Sequence, residues 1–470
     1  MSVILRDSSS GAFISHEVFL KRTYSTAGLA PADQMFGLRT PFMTEAQAAK
    51  TAARMMGEST AGPARKRIRS QKTESPNNTE EKLNEVGDVQ EKMSYVIKLA
   101  KASGFFNLEL TPKDFVSNNS PARQFSDMVF KQSNLFGDSA SFQDKNTKNK
   151  PVLRCIRGEN YVLPGNCRFF CGDLFNSMNF LSSETFDLVI VDPPWWNKYI
   201  RRIKSAARHS TYPMMYNKDL SKIPVGNYLT AEGLVAIWCT NSPNNIKELI
   251  EMVLPEWGFQ SVATWFWAKV TKAGETVCAF SQPPGKQPYE RIIFARKICK
   301  TDLPNPVDKQ VLISVPSAVH SHKPPLTEVL APYLPQNFKT LELFARNLLP
   351  NTTSCGLEVL KLQHEILFQK QVSLAEPAPL ELQAASQVLV VQQNLLPNTT
   401  SCELEVLKPQ HEILFQNQGE AEATNHSPGV SVFLGGVAAS GATGVVKEDR
   451  PVAHGKSHCT RVLHQNGVAQ

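Results

Sequence analysis

The decapeptide FDLVIVDPPW, residues 186–195, joins a short apolar run to a Pro-Pro turn. A run of this length that ends in turn residues is typical of a buried central strand. In open α/β sheets, ligands bind at the rim that the carboxyl ends of such strands reach. The run therefore predicts a sheet, and it places Asp192, Pro193, Pro194 and Trp195 at the ligand-binding edge.

An acid, two rigid carbonyls and an indole suit the binding of a flat base through its exocyclic amine. The lone pair of adenine N6 is delocalised into the ring, which makes the amine a poor nucleophile. Asp192 and the carbonyl of Pro193 or Pro194 can accept its two N–H bonds and aim the lone pair at an incoming methyl group. Trp195 is predicted to stack on the base, a contact worth about 1–3 kcal/mol. The alternative is an edge turn whose Asp caps a helix.

From about residue 151, strand patterns alternate with helical patterns. The strand candidates are 167–171, 186–191, 234–240, 262–270, 290–296, 310–315 and 340–345. Apolar residues at helical spacing predict helices over 244–255 and 326–333. This alternation predicts an α/β fold with a mostly parallel sheet. No GxGxxG motif follows the first strand, which disfavours a dinucleotide-binding oxidoreductase.

Three further segments, Lys286 to Glu290, His320 to Leu326 and Leu341 to Asn347, carry a resemblance to a known family. Together with residues 192–195, they resemble the adenine-N6 methyltransferases that have a DPPW motif, over about residues 150–369. The resemblance implies a Rossmann-like methyltransferase sheet with permuted motif order, in which the cofactor strand comes late, here at 341–346. It also implies S-adenosyl-L-methionine (SAM) as the cofactor and adenine in RNA or DNA as the substrate.

The resemblance assigns five cofactor-binding residues. It implies that Asp173 accepts a hydrogen bond from the adenine amine of SAM and that Lys323 pairs with the methionyl carboxylate. It places Glu342, Arg346 and Asn347 along the ribose and the tail. Without the resemblance, we would interpret Asp173 as a loop residue, Lys323 as surface charge and Glu342 as a strand-edge residue. The chemistry requires no metal.

The chain departs from the family after Asn347. There the family has a segment like Pro-Gly-Trp-Thr-Ser-Trp-Gly-Asn-Glu, whose Asn binds the cofactor ribose, whereas Pro350 to Glu358 reads PNTTSCGLE. Both tryptophans are absent, and Leu357 cannot hydrogen-bond a hydroxyl. A lost hydrogen bond in a buried polar site costs about 1–3 kcal/mol. The base site is therefore predicted to be complete, with a weakened cofactor clamp.

A basic segment follows Trp195 directly. We predict that Asn197, Lys198, Arg201 and Arg202 bind the substrate, because cations beside a base pocket can grip the flanking phosphates. The alternative is a solvated loop. Elsewhere, Trp238 is predicted to be a core residue, as is at least one of two further tryptophans, at 265 and 267.

The composition describes a chain with a mildly basic balance. It has 470 residues, 41% of them hydrophobic, with net charge +7 and no apolar run of 18 residues. These values favour a polyanionic partner and predict no membrane span. Nine unpatterned cysteines indicate free thiols in a reducing compartment and no zinc site. The basic cluster Arg65 to Arg69 predicts nuclear import, with the cytosol and the mitochondrion as alternatives. We expect a monomer that binds RNA, with DNA as a second ligand.

The pattern divides the chain into four parts. Residues 1–82 are predicted to be a variable, largely disordered region that holds the basic cluster. A helical accessory region over 83–150 precedes the methyltransferase domain, 151–369, and a low-complexity tail, 370–470, follows. Asn347–Gln369 recurs at Asn394–Gln416 in the tail and differs only at Gly356/Glu403 and Leu362/Pro409.

Three functions remain open. The first is SAM-dependent N6-adenine methylation of RNA, which the resemblance narrows to 2′-O-methyladenosine in a small nuclear RNA, with DNA as a second substrate. The second is a catalytically weakened methyltransferase fold that binds nucleic acid without turnover. The third, for which the same turn would serve, is methylation of another planar amine or amide. Asp192 and Trp195 favour the first, and Leu357 favours the second.

Overall fold

Residues 2–58, 76–132, 141–181, 184–195, 214–283, 285–298 and 301–371 are described by a computed structural model. The strands in these ranges are, in chain order, β1 (Val3–Asp7), β2 (Gly11–Ile14), β3 (Leu29–Pro31), β4 (Phe142–Asn146), β5 (Val152–Ile156), β6 (Glu159–Leu163), β7 (Cys167–Cys171), β8 (Phe186–Val191), β9 (Leu229–Cys239), β10 (Phe259–Lys269), β11 (Tyr289–Lys297), β12 (Val311–Ser314), β13 (Thr340–Leu343), β14 (Thr352–Gly356) and β15 (Phe368–Lys370).

The same ranges contain α-helices that vary from one turn to 27 residues. In chain order they are α1 (His16–Tyr24), α2 (Glu45–Met55), α3 (Pro76–Ala102), α4 (Pro112–Ser117), α5 (Ser120–Gln132), α6 (Met178–Leu181), α7 (Asn217–Leu220), α8 (Val225–Tyr228), α9 (Pro243–Glu248), α10 (Leu254–Glu256) and α11 (Thr327–Leu330). A π-helical turn, Leu249–Val253, joins α9 to α10, so the helix predicted over 244–255 is present with one wide turn.

Eleven strands form the central sheet, in the order β1-β2-β12-β10-β11-β9-β8-β13-β14-β7-β4. Within it, β9, β8, β13, β14 and β7 are a block of parallel neighbours. The antiparallel strand β11 joins this block to β10, and β4 closes the other edge. The predicted α/β class with a mostly parallel, Rossmann-like sheet is therefore confirmed, as are the strand candidates.

The apolar run of β8 is buried on both faces because side chains alternate across a strand. Leu188 and Ile190 pack into one hydrophobic cluster, whereas Val189 and Val191 pack into the cluster on the opposite face. All four are at most 2% exposed. A strand covered on both sides reads as continuous apolar sequence, which is why the run identified the sheet centre.

The prediction of a largely disordered N-terminal region is wrong for residues 2–58. β2 pairs with β12 in parallel, and β1 pairs with β2, so both strands extend the main sheet. A Cβ on Gly11 would lie 1.9 Å from the carbonyl oxygen of Val311, so this close approach admits only glycine. Strands of five and four residues gain their stability from pairing with a sheet, and local pattern does not show that pairing.

Helix α3 covers one face of the sheet, as the helical spacing from residue 83 predicts. Val89, Met93, Val96 and Ala100 are buried against Phe13 and neighbouring strand residues. The division of the chain into four parts remains a prediction. The basic cluster at 65–69 and the tail from 372, including the second copy at 394–416, lie outside the described residues.

None of the helices found in the described ranges combines the length and the apolar character that a membrane crossing requires.

Candidate active site

The turn after β8 lies at the carboxyl edge of the parallel block, as predicted. Asp192 is 6% exposed, and its backbone N–H donates to the carbonyl of Leu343, the last residue of β13 (3.3 Å). The Pro193 carbonyl accepts from Trp195 N–H (2.8 Å), and the Pro194 carbonyl accepts from Met215 N–H (2.9 Å). A carbonyl oxygen has two lone pairs, so each proline carbonyl keeps one acceptor position for a ligand.

Trp195 differs from its predicted role. Its indole belongs to the hydrophobic core, is 8% exposed, and donates from Nε1 to the Trp238 carbonyl (2.8 Å). Little of the ring is left for the stacking contact that the sequence predicts. A buried indole with its N–H satisfied holds the turn against β9. Trp238 and both tryptophans of β10, at positions 265 and 267, are buried, which confirms the predicted core positions.

Both carboxylate oxygens of Asp192 face cations. Arg346 Nη1 lies 2.6 Å from Oδ2, and Lys323 Nζ lies 3.5 Å from Oδ1. The Asp192 side chain is 9% exposed, and those of Arg346 and Lys323 are 11% and 17% exposed. Ion pairs screened from water are stronger than surface pairs. Both oxygens of Asp192 are therefore paired with cations in a part of the site that is largely screened from water.

Lys323 is shared with a second acid, Glu290, whose Oε2 it meets at 2.7 Å. Lys269 pairs with the other oxygen of Glu290. Burial acts to lower the pKa of Lys323, but the carboxylates of Asp192 and Glu290 outweigh it and raise that pKa. Burial likewise acts to raise the pKa of Glu290, and the two lysines outweigh it and hold that pKa well below its usual range.

Sheet register explains how these residues meet. Lys269 ends β10 and Glu290 is the second residue of its antiparallel neighbour β11, so both reach the edge at which β8 ends. Neither Lys269 nor Glu290 was predicted from the sequence to belong to the site. Glu290 stands in one of the three segments that carry the resemblance, which was the available signal. We call Asp192, Lys269, Glu290, Lys323 and Arg346 the charged cluster.

Arg346 is turned back toward Asp192 by an unusual backbone at the end of β13. Phe344 has φ +60°, a left-handed conformation that a bulky residue rarely adopts. Its ring is 2% exposed, so core packing holds the turn in place. Arg346 Nε also lies 3.4 Å from Glu358 Oε2, and Glu358 pairs with Lys361 (2.8 Å). The guanidinium therefore links the ends of β13 and β14.

Glu342 lies inside the site as a neutral acid. Burial and the charge of Asp192 raise its pKa to about 8, although Arg346 opposes the shift. Its Oε2 has no hydrogen-bond partner among the described residues. A protonated carboxyl group can both donate and accept. Glu342 therefore presents hydrogen-bonding capacity that the protein itself does not use.

The ends of β7 and β14 form the other side of the site, which we call the ribose side (Asp173, Gly356 and Leu357). Asp173 is exposed, and its Oδ1 accepts from Phe175 N–H (2.8 Å). Leu357 packs against the hydrophobic core. Cys171 of β7 pairs with Gly356 of β14, so Asp173 and Leu357 follow neighbouring strand ends. Asn347, four residues after the end of β13, is buried at 7% exposure.

The first copy of the duplicated segment, Asn347–Gln369, has residues at two positions that the ribose side requires and that the second copy, Asn394–Gln416, lacks. A Cβ on Gly356 would lie 2.8 Å from the carbonyl oxygen of Ala345, closer than Cβ atoms approach. The backbone N–H of Leu362 donates to the Arg346 carbonyl (2.9 Å). The second copy has Glu403 and Pro409 at these positions. A glutamate side chain would clash, and a proline has no N–H to donate.

The predicted substrate-binding residues Asn197, Lys198, Arg201 and Arg202 lie outside the described residues. In the part that the structure covers, no three His, Cys, Asp or Glu side chains are grouped so as to hold a metal ion.

Comparison with known proteins agrees with this geometry. The family model MT-A70 matches residues 186–358, from β8 to Glu358. The chain is 33% identical over 257 residues to the N(6)-adenine-specific methyltransferase METTL4 of Mus musculus, covering 51% of this chain and 53% of that protein. It is 36% identical over 233 residues to a DNA N6-methyl methyltransferase of Caenorhabditis elegans, covering 48% and 60%.

A third relative, the N6-methyladenosine RNA methyltransferase MTA1 of Pyricularia oryzae, is 32% identical over 209 residues, which are 43% of this chain and 55% of that protein. The chain thus spans about half the length of the curated relatives it matches. MT-A70 methyltransferases use SAM as the methyl donor. Residues 186–358, which hold the DPPW turn and the whole charged cluster, are an MT-A70 family domain.

Proposed function

We propose that this protein is a SAM-dependent methyltransferase that acts on the N6 amine of adenine in nucleic acid. The observation that carries the proposal is the Asp192 carboxylate, held between Arg346 and Lys323 at the carboxyl end of β8. It lies one strand from β13, the strand that the resemblance assigns to the cofactor. The names of the relatives, which specify adenine in RNA or DNA, support the substrate class.

The chain positions the amine through acceptors. Asp192 accepts one N6–H bond, and the unused lone pair of the Pro193 or Pro194 carbonyl accepts the other. Arg346 and Lys323 hold the carboxylate in place, so little reorganisation is needed as charge develops on N6. Once N6 carries a fourth bond it must lose a proton, and Asp192 is the acceptor within reach. Presentation of the amine requires an unstacked base, which favours single-stranded targets.

Most of the predicted cofactor-binding residues fit SAM. When bound, SAM supplies an electrophilic methyl group on sulfur. Lys323 offers an ammonium group for the methionyl carboxylate. Glu342, whose Oε2 has no partner among the described residues, offers a donor and an acceptor to ribose hydroxyls. Asp173 is exposed and able to accept from the adenine amine. Leu357 does not fit the ribose, because its side chain is apolar and packs against the core.

We further propose the finer identity that the resemblance implies. The substrate is RNA, specifically 2′-O-methyladenosine of a small nuclear RNA, which becomes N6,2′-O-dimethyladenosine; DNA is a second substrate. The protein acts as a monomer in the nucleus, to which the basic cluster at 65–69 directs it. A second function, nucleic-acid binding with weakened catalysis, is favoured by one observation, the apolar Leu357 on the ribose side.

The proposal is tested by methyl transfer from SAM to three single-stranded substrates: RNA with adenosine, RNA with 2′-O-methyladenosine, and DNA. The products are digested and identified as nucleosides by mass spectrometry. We expect an N6-methyl product, most abundant from the 2′-O-methyl substrate, that disappears in Asp192→Ala. An absence of product from all three substrates, with RNA binding retained, would favour the weakened binder. A product that survives in Asp192→Ala would exclude the proposed chemistry.

A further inference from the structure

A cavity of about 280 Å³ is lined by aromatic rings. It is formed where β2 leads into α1 and where the chain leaves α3. Phe13 packs against Phe105 and Phe106, with ring centroids 5.4 and 4.8 Å apart, and Phe36 lies 5.1 Å from the ring of His16. We call this cavity the aromatic pocket. Its volume is near the lower limit for small-molecule sites.

The wall of the aromatic pocket contains an imidazole whose polar atoms are unsatisfied. His16 is 2% exposed, and neither of its ring nitrogens has a hydrogen-bond partner among the described residues. Burial, with a smaller effect of His322, lowers its pKa well below the usual value. The ring is therefore neutral and has one donor and one acceptor. Buried polar groups without partners are costly, so a ligand that hydrogen-bonds His16 would gain affinity.

The rim of the pocket is charged and reaches solvent. Arg39 Nε lies 2.7 Å from Asp114, and Lys272 Nζ lies 3.3 Å from Glu17; the two cationic side chains are 48% and 36% exposed. Lys21 also pairs with Glu17 (2.9 Å). Three cations thus pair with two carboxylates, and Glu17, Arg39 and Lys272 of this group line the pocket. A guanidinium that meets one carboxylate through Nε has further N–H donors for a phosphate.

Two imidazole rings separate the aromatic pocket from the charged cluster. The rings of His16 and His322 meet edge to face, with centroids 4.3 Å apart. His322 immediately precedes Lys323, whose ammonium group lies 3.5 Å from Asp192. The aromatic pocket and the charged cluster are thus linked through the contact of His16 with His322 and the chain connection from His322 to Lys323.

We propose that the aromatic pocket binds a second nucleobase of the single-stranded nucleic acid, one that flanks the target adenine. The inference rests on the proposed function and names a determinant of its substrate. A base matches the pocket in three ways: its faces pack on phenylalanine rings, its polar edge satisfies His16, and its phosphate lies near Arg39 and Lys272. A phenylalanine or aliphatic side chain of a protein partner would leave His16 unsatisfied, and none of the aromatic side chains would bring the negative charge of a phosphate.

Photocrosslinking tests the inference without requiring turnover. Single-stranded RNAs carry one 4-thiouridine at successive positions on either side of the target adenosine, and crosslinked peptides are identified by mass spectrometry. We expect one flanking position to crosslink to peptides that contain Phe36 or Phe105 and Phe106. Phe106→Leu should weaken RNA binding about tenfold, the usual effect of losing one stacked base. Tyr95→Leu, which removes an exposed ring from α3, should leave binding unchanged.

A second variant distinguishes the loss of base binding from the loss of the fold. His16→Phe keeps a ring of similar size and removes both nitrogens, so it should fold, as circular dichroism would show, and bind the base-containing RNA more weakly. RNA with an abasic site at the crosslinking position should bind the parent as weakly as intact RNA binds Phe106→Leu. Equal binding of abasic and intact RNA, or crosslinks confined to other surfaces, would overturn the inference.

The outcome separates the inference from the proposed function. Crosslinks in the aromatic pocket without methyl transfer would support the second base site and count against the enzyme. Methyl transfer without these crosslinks would support the enzyme and count against the second base site.

Discussion

The two sides of the site differ in how their polar groups are satisfied. In the charged cluster, every carboxylate oxygen of Asp192 and Glu290 faces a cation, and Lys323 serves both acids. On the ribose side, Gly356 leaves no space for a side chain, and Leu357 contributes apolar surface. The groups proposed to position an amine are thus all paired, whereas one residue expected to hold the cofactor is replaced by an apolar one. Amine recognition and cofactor affinity are therefore separable.

The largest effect is expected on the ribose side. Gly356→Glu, the residue of the second copy, forces a side chain against the Ala345 backbone and buries a charge, which should lower the free energy of unfolding by about 4 kcal/mol or more. Urea denaturation measures the change. Gly356→Ala isolates the backbone clash and should cost about 1–3 kcal/mol. A Gly356→Glu protein as stable as the parent would mean that either copy can occupy this place.

In the charged cluster, Lys323→Met should cost about 3 kcal/mol, because it leaves Asp192 and Glu290 without a shared cation. Thermal and urea unfolding measure the loss. The control is Lys222→Met, whose exposed pair with Asp219 should contribute less than about 1 kcal/mol. Similar small losses in both variants would show that the charged cluster contributes no more to the free energy of unfolding than a surface ion pair does.

Glu342 gives the site a distinct dependence on pH. Its folded pKa, raised to about 8, exceeds the ordinary value of 4.5, so the folded protein binds the extra proton between these values. Its contribution to stability is complete below about pH 4.5 and is lost as the pH rises through 8, at about 1.4 kcal/mol per unit. Glu342→Gln should remove this slope, measured as the difference from the parent in urea midpoints at pH 5.5, 6.5 and 7.5. Parallel pH profiles would contradict a neutral Glu342.

The smallest effect is expected at position 357, where a substitution should increase the affinity for SAM. Leu357→Asn restores the amide that the family uses on the ribose side and should tighten SAM binding about tenfold, the equivalent of one hydrogen bond. Isothermal titration calorimetry measures the affinity. Leu357→Ala removes the same apolar contact without adding an amide and should not tighten binding. Equal affinities for the Asn and Ala variants would mean that position 357 does not face the ribose.

Much of the fold could be predicted because its central strands are buried on both faces. The run 186–191 and the later strand candidates are long enough for the apolar pattern to identify them, and the Pro-Pro turn marks the edge of the sheet. The short strands β1 and β2 escaped prediction because pairing with β12, some 300 positions away in the chain, stabilises them.

The site was predicted only in part, because several of its contacts join residues that are far apart in the chain. Asp192 could be placed from its own neighbours, but its contact with Arg346 joins positions 154 residues apart, which no local pattern encodes. Lys269 and Glu290 meet only through the register of β10 and β11. The burial of Trp195 depends on the Trp238 carbonyl of another strand, so the motif alone suggested a more exposed ring.

The role of Asp192 in orienting the amine is tested most directly by the rate of N6 methyl transfer at saturating SAM in the parent and in Asp192→Asn, which keeps the shape and removes the charge. We expect a rate lower by about 10²–10³-fold in the variant, the usual effect of losing one transition-state acceptor or donor. Asp187→Asn, at the opposite end of β8, should transfer at the parent rate. Equal rates for the parent and Asp192→Asn would contradict the assignment of Asp192 as the residue that orients the amine.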